Sequence, residues 1–247
     1  MELPNVPLQN GQPAFEPLAW RYRRLSCQLI TGLMWLSVLG VLMSFSMPAV
    51  RPHRATFLMI GTVCYLSVAL LGGALRWNYG RLMFLGLICC ALGDYLGLRN
   101  FVWGALAFLV AHFFFVAAFW VIGIDWQRAL RLVPIMLVVG IAILAWLLPG
   151  ISSRSDMFLV LGYMVVISLM VILAYGISSE QHRPLILLAA VIFFVSDIFV
   201  ARWRFTPSGS INGYFCYPMY YTACVLFAWT TCLYYQRRES LEPPLAA

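Results

Sequence analysis

Long apolar runs alternate with short polar breaks along the chain, and the runs have the length of membrane-crossing helices. Eight can be laid out, at about residues 25–46, 55–75, 80–98, 101–123, 129–149, 157–177, 184–202 and 215–235. A spanning helix needs about 20 mostly apolar residues, because a rise of 1.5 Å per residue must cover a hydrocarbon layer about 30 Å thick. The short alternating segments of an outer-membrane barrel do not fit this pattern. It predicts an all-α membrane protein, an eight-transmembrane-helix bundle over residues 21–236. Residues 1–20, with Pro4, Pro7, Pro13 and Pro17 among polar neighbours, read as a disordered cytoplasmic tail with no signal-peptide core, and 237–247 as a second cytoplasmic tail.

Composition agrees. With 63% hydrophobic and 10% charged residues and a mean hydropathy of +0.87, the chain has too little polar surface to cover a water-soluble globule. All 16 basic residues are Arg. Ten lie on one side of the expected bundle (21, 23, 24, 76, 81, 128, 131, 183, 237, 238) and six on the other (51, 54, 99, 154, 202, 204). The positive-inside rule then predicts both termini in the cytoplasm. The net charge of +7 is spread over loops, so it reads as membrane topology and lipid anchoring, and nucleic-acid binding is not expected. The seven cysteines fall mostly within spans without paired metal spacing, as small packing residues.

Seven of the nine acidic residues sit in tails or loops; Asp94 and Asp197 alone fall inside spans. A carboxylate at a helix centre costs about 2.5–3.5 kcal/mol of insertion free energy, so such residues normally face a bundle interior or a water-filled cavity. "CALGDYLGLRNF" in span three and "FVSDIFVARWRF" in span seven share a small residue, the Asp, four mostly apolar residues and an Arg. An offset of four spans preserves direction, so both acids are expected at matched depth away from the cytoplasm. A parallel four-plus-four helix repeat would explain the match. If the two helices touch, the carboxylates form an acid/base dyad, one a protonated donor and the other ionised; the two should line one cavity, and unless spans three and seven are neighbours the chemistry of a pair is not expected.

Positions three, four and seven apart share a helix face. That places Phe193, Phe194, Val200, Ala201 and Arg204 on the Asp197 stripe, whereas Arg202 and Arg99 point away from the acids of their own helices. The arginines can anchor to headgroups, or Arg204 can hold an anionic group above the acid. His112, in "FLVAHFFFVAAFW", lies mid-span with Phe108, Phe115 and Phe119 on its face and is expected to be desolvated and neutral. "GYFCYPMYYTACVLF" opens the last span, with Pro218 expected in its first turn and one of Tyr220 and Tyr221 facing inward, adjacent residues being 100° apart. No phosphate loop, His-Glu-x-x-His, CxxC pair or GxSxG elbow is present, and neither a cofactor nor a metal ion is expected.

Taken together, "LGD" in span three, "AHFFF" in span four, "GYMVVISLM" in span six, "FFVSD" in span seven and "YYTA" in span eight resemble the YhhN-like lysoplasmalogenase family, over about residues 30–235. The resemblance implies an eight-helix membrane hydrolase that cleaves the vinyl ether bond of a lysophospholipid substrate, giving a fatty aldehyde and a glycerophospho-base. It nominates Asp94 and Asp197 as catalytic acids, with His112 and Tyr220 or Tyr221 beside them; Arg204 or Arg99 would hold the substrate phosphate. The chain departs from the family pattern at Phe115, where a Tyr is usual, at Cys224, where a Gln is usual, and in having Arg54 as the basic residue nearest the start of span two. A bacterial inner membrane is the expected location. Two other classes fit the same acids: a proton-coupled membrane transporter, for which Gly72 with Gly73 and Gly93 with Gly97 are the candidate helix interruptions, and an assembly protein whose acids only pair helices.

Overall fold

The computed structural model describes residues 18–179, 181–206 and 209–241, with side chains between 21 and 234. The expected N-terminal tail up to residue 17 and the last residues, 242–247, lie outside these. The described chain forms eight long helices: α1 (Leu18–Ser46), α2 (Arg54–Leu71), α3 (Asn78–Gly97), α4 (Phe101–Ile122), α5 (Trp126–Leu147), α6 (Arg154–Gly176), α7 (Arg183–Phe205) and α8 (Ile211–Leu241). Short polar caps end the apolar runs where the sequence places them. Asn100 caps α4 by accepting from the amides of Val102 and Trp103, Asp125 caps α5 by accepting from that of Arg128, and Ser153 caps α6 by accepting from that of Asp156.

Among the described residues seven helices, α1 to α7, are long and apolar enough to cross a membrane, against the eight expected. The exception is α8, which mixes Tyr, Thr and Trp with its apolar residues. Its hydroxyls are satisfied inside the bundle: Thr230 bonds Tyr79 at 2.6 Å, Thr231 donates to the Ala228 carbonyl at 2.7 Å, and Tyr221 donates to the Leu58 carbonyl at 2.8 Å. A helix enclosed by its neighbours can carry such groups, because each has a partner and few meet lipid. One correction concerns Pro218, which lies inside α8, since the helix starts at Ile211 and not near residue 215. The helix also continues to Leu241, past the expected end at 236.

Packing places α3, α4, α6, α7 and α8 in a closed ring, each against the next and α8 against α3. Helix α2 backs α3 and α8, α1 lies on α2 and α8, and α5 lies on α6 with an edge on α7. Helices α3 and α7 are not a packed pair of this ring; α4 and α6 stand between them on one side and α8 on the other.

The two ends of the bundle differ. At one, the α4–α5 and α6–α7 connections are laced together by Asp125 N–H donating to the Gly176 carbonyl at 2.7 Å and Ser178 N–H to the Gly123 carbonyl at 3.0 Å. Gly123 there takes a φ of 99°, in the region that favours glycine. At the other end, where α1, α3, α5 and α7 finish, the ring widens into a cavity. The α3–α4 hairpin is held there by glycine contact: a Cβ on Gly104 would stand 2.7 Å from Gly97 Cα and 3.1 Å from the Gly93 carbonyl oxygen. Gly93 and Gly97 thus belong to an unbroken α3, and Gly72 and Gly73 follow the end of α2, so neither pair interrupts a helix as a transporter would require.

Backbone atoms cannot yield to a new methyl group, so Gly104→Ala is expected to lower the apparent melting temperature of the purified protein, by an overpacking cost of about 1–3 kcal/mol. Gly162→Ala, whose Cβ would meet nothing within 4 Å, is expected to leave it unchanged or raise it. Thermal unfolding of the two variants side by side in one detergent checks the contrast.

Candidate active site

The cavity, of about 360 Å³, takes its lining from the widened end of every helix except α1. Phe101, Phe108, Tyr163, Phe194, Trp203 and Tyr217 supply aromatic wall. Asp94 of α3 and Asp197 of α7 are the only charged side chains lining it among the described residues. The expectation of one shared cavity is therefore met. Direct contact is not: among the described residues no hydrogen bond links the carboxylates, and their helices are held apart by α8 and α4.

Each carboxylate has one oxygen held by neighbouring helices. Asp94 Oδ2 accepts from Thr62 of α2 at 2.7 Å and from Tyr220 of α8 at 2.9 Å, with the Tyr65 hydroxyl 3.5 Å away. Asp197 Oδ2 accepts from Tyr163 of α6 at 2.7 Å. Hydrogen bonds to a charged group contribute about 1.5–3 kcal/mol each, enough to offset much of the cost of keeping a carboxylate out of water.

The second oxygens are different. Asp94 Oδ1 has no hydrogen-bond donor among the described residues, and Asp197 Oδ1 has only Ser196 at 3.5 Å, whose proton is engaged by the Phe193 carbonyl at 2.7 Å. Asp94 Oδ1 is not among the buried unpaired atoms and its residue lines the cavity, so this oxygen is open to the interior; Asp197 lines the same cavity, with Ser196 the one donor near its Oδ1.

His112 stands behind Asp197. Its Nδ1 lies 2.6 Å from the Phe108 carbonyl oxygen, which can only accept, so Nδ1 carries a proton. Nε2 is buried without a hydrogen-bond partner and lies 3.6 Å from Asp197 Oδ2. The ring is fixed by Phe193, at 4.9 Å between centroids, and by Tyr163, at 5.3 Å. Phe193 also meets Tyr220 edge-on at 5.6 Å, and Phe115 meets Phe227 at 4.6 Å, so one aromatic cluster joins α4, α7 and α8 between the two acids.

The other expected residues divide. Of the adjacent tyrosines, Tyr220 is the one aimed at Asp94, and Tyr221 is turned to the α2 backbone, away from the cavity. Arg204 and Arg99 do not line the cavity. Arg204 is 47% exposed, 4.0 Å from Asp156 and stacked over Phe101 at 5.0 Å, which places it at the mouth. Arg99 is exposed and stacks on Tyr95 at 5.0 Å. Thr62, Tyr65 and Tyr163 were not singled out in the sequence; Tyr163 falls in the "GYMVVISLM" segment, the one signal that could have found it.

A helical bundle with at least seven membrane-crossing segments, closed around a cavity whose charges are two partly satisfied carboxylates, defines a polytopic membrane protein with an acidic site within the bundle. The model of the YhhN family matches residues 53–231, and the chain belongs to that family. No curated protein and no solved structure matches it.

The Phe108 carbonyl dictates the His112 tautomer. ¹⁵N NMR of histidine-labelled protein, with His112→Ala to assign the signals, is expected to show Nδ1 protonated; an unprotonated Nδ1 on His112 would contradict the geometry.

Proposed function

We propose that this protein is a lysoplasmalogenase-like hydrolase that cleaves the vinyl ether of a lysoplasmalogen inside the cavity, by acid/base action of Asp197 and Asp94. Membership of the YhhN family supports a function of this general kind. The observation that carries the specific reading is the pair of carboxylates, each held through one oxygen, that line a cavity otherwise walled by apolar and aromatic side chains. A single alkenyl chain fits such walls, and the one bond it offers that a carboxylic acid can activate is the electron-rich double bond of the ether.

In this mechanism Asp197 is the general acid. Its Oδ2 is occupied by the Tyr163 proton, so its own proton sits on Oδ1 and passes to the β-carbon of the vinyl ether. The adjacent carbon becomes an oxocarbenium ion, which ionised Asp94, held by Thr62 and Tyr220, stabilises through space. Water adds to that carbon and gives its proton to Asp94. As the hemiacetal collapses, Asp94 returns that proton to the departing ether oxygen and the hemiacetal hydroxyl returns one to Asp197, which restores both groups. The products are the aldehyde and the glycerophospho-base. His112 acts through Asp197 as a positioning residue. Arg204 at the mouth meets the substrate phosphate, stacking on Phe101 as it does so.

The reading includes eight crossings with both termini cytoplasmic, which puts the cavity mouth on the opposite face of the membrane. It also includes a four-plus-four repeat. Offsetting by four helices carries α3 to α7, α2 to α6 and α8 to α4; on that offset Asp94 corresponds to Asp197, the α2 hydroxyls to Tyr163, and Tyr220 to His112. The α2–α8 and α4–α6 contacts exchange under the same operation.

Purified protein incubated with lysoplasmalogen is expected to release trapped aldehyde. Asp94→Asn and Asp197→Asn should each lower the rate by about 10²–10⁴-fold, the usual worth of a general acid or base, and Tyr163→Phe by about tenfold, one charge-assisted hydrogen bond. Tyr221→Phe should retain the wild-type rate. No aldehyde from wild-type protein refutes the hydrolase reading, and fully active Asn variants refute the assignment of the acids.

A further inference from the structure

The distribution of charge at the site is lopsided. Two carboxylates line the cavity, Asp94 with an oxygen free of donors and Asp197 with only a 3.5 Å serine contact on its second oxygen, and no arginine joins them there. Of the arginines outside it, Arg204 is at the mouth and already within 4.0 Å of Asp156. His112 reaches Asp197 only from behind, on the oxygen that Tyr163 already holds. A negative group in an apolar setting needs a proton or a counter-charge, and the protein supplies donors to only one oxygen of each acid.

The walls complete the description. Tyr220, Phe108, Tyr163 and Tyr217 surround the acids with aromatic rings, whose faces attract cations. Phe108 and Tyr220 meet edge-on at 5.5 Å, so the two rings are fixed relative to each other beside Asp94. Beyond the acids the lining is aliphatic, from Ile143, Leu147, Leu159, Met164 and Ile167. Carboxylate oxygens, aromatic faces and an apolar sleeve are together the complement of a single alkyl chain ending in a positive nitrogen.

We infer that the cavity is a binding site for single-chain alkylammonium amphiphiles, with the ammonium between the carboxyl groups of Asp94 and Asp197 and the chain along α5 and α6. Neutral and anionic single-chain lipids of equal length bind it less well. The inference rests on the proposed hydrolysis only for the reason such a site exists: an ammonium placed there stands where the oxocarbenium carbon would carry its charge, so the amine imitates the high-energy species and competes with substrate. The binding itself follows from the cavity and is measured without turnover.

The test uses the full chain in zwitterionic phosphatidylcholine nanodiscs, with equilibrium binding of radiolabelled hexadecylamine and subtraction of empty nanodiscs. Saturable binding at one site is expected, at least tenfold tighter than that of hexadecanol or palmitate. Asp94→Asn and Asp197→Asn should each weaken amine binding at least tenfold while leaving hexadecanol binding within about twofold. Retained hexadecanol binding shows that the variants are folded. Equal affinity for amine and alcohol, or Asn variants that bind the amine as wild type does, overturns the inference. Tight amine binding without aldehyde release from lysoplasmalogen defeats the hydrolase reading alone; aldehyde release without amine preference defeats this inference alone.

Discussion

A carboxylate can stay inside an apolar bundle only where other groups hold it, and the arrangement of helices follows from meeting that demand twice. Asp94 requires hydroxyls from α2 and α8, and Asp197 requires one from α6 with the imidazole of α4 behind it. Four helices are thereby fixed in register to the two that carry the acids. The aromatic cluster of His112, Phe115, Phe193, Tyr220 and Phe227 fills the space that remains between them. Packing alone would tolerate many rotations of apolar helices in lipid, where one greasy face is as good as another. The polar contacts select one of them.

The same constraint explains which parts of the structure could be read from the sequence. Asp94 and Asp197 stood out because an acid in an apolar run is costly anywhere, whatever surrounds it. Their partners did not, because Tyr65 and Tyr163 inside a span look like ordinary aromatic core until the neighbouring helix is known. Helical periodicity placed Phe194, Val200 and Ala201 on the Asp197 face, and they do line the cavity with it. The same periodicity put Arg204 on that face, yet its long side chain leaves the stripe for Asp156 and Phe101. Periodicity fixes where a Cα lies and says little about where a guanidinium at the end of three flexible methylenes comes to rest.

Helix boundaries followed the polar breaks closely, since Asn100, Asp125 and Ser153 are both the break and the cap. The last helix was expected over 215–235 and runs from Ile211 to Leu241; Thr230 and Tyr221 on it are answered by other helices, which a scale that scores each residue alone cannot see. Contact between α3 and α7 was the one arrangement expected of a dyad that the chain does not adopt. The acids line one cavity, which a pair of adjacent helices would have closed.

The lacing of the α4–α5 connection to the α6–α7 connection has a mechanical consequence. Backbone bonds that join two loops tie the helices at one end like staves in a hoop, so relative motion of α4, α5, α6 and α7 is a splaying about that end, with its largest amplitude at the mouth. The chain is built as a purse drawn shut at one end, and the edge-on pair of Phe101 and Phe205, 6.0 Å between centroids, sits at the end left loose.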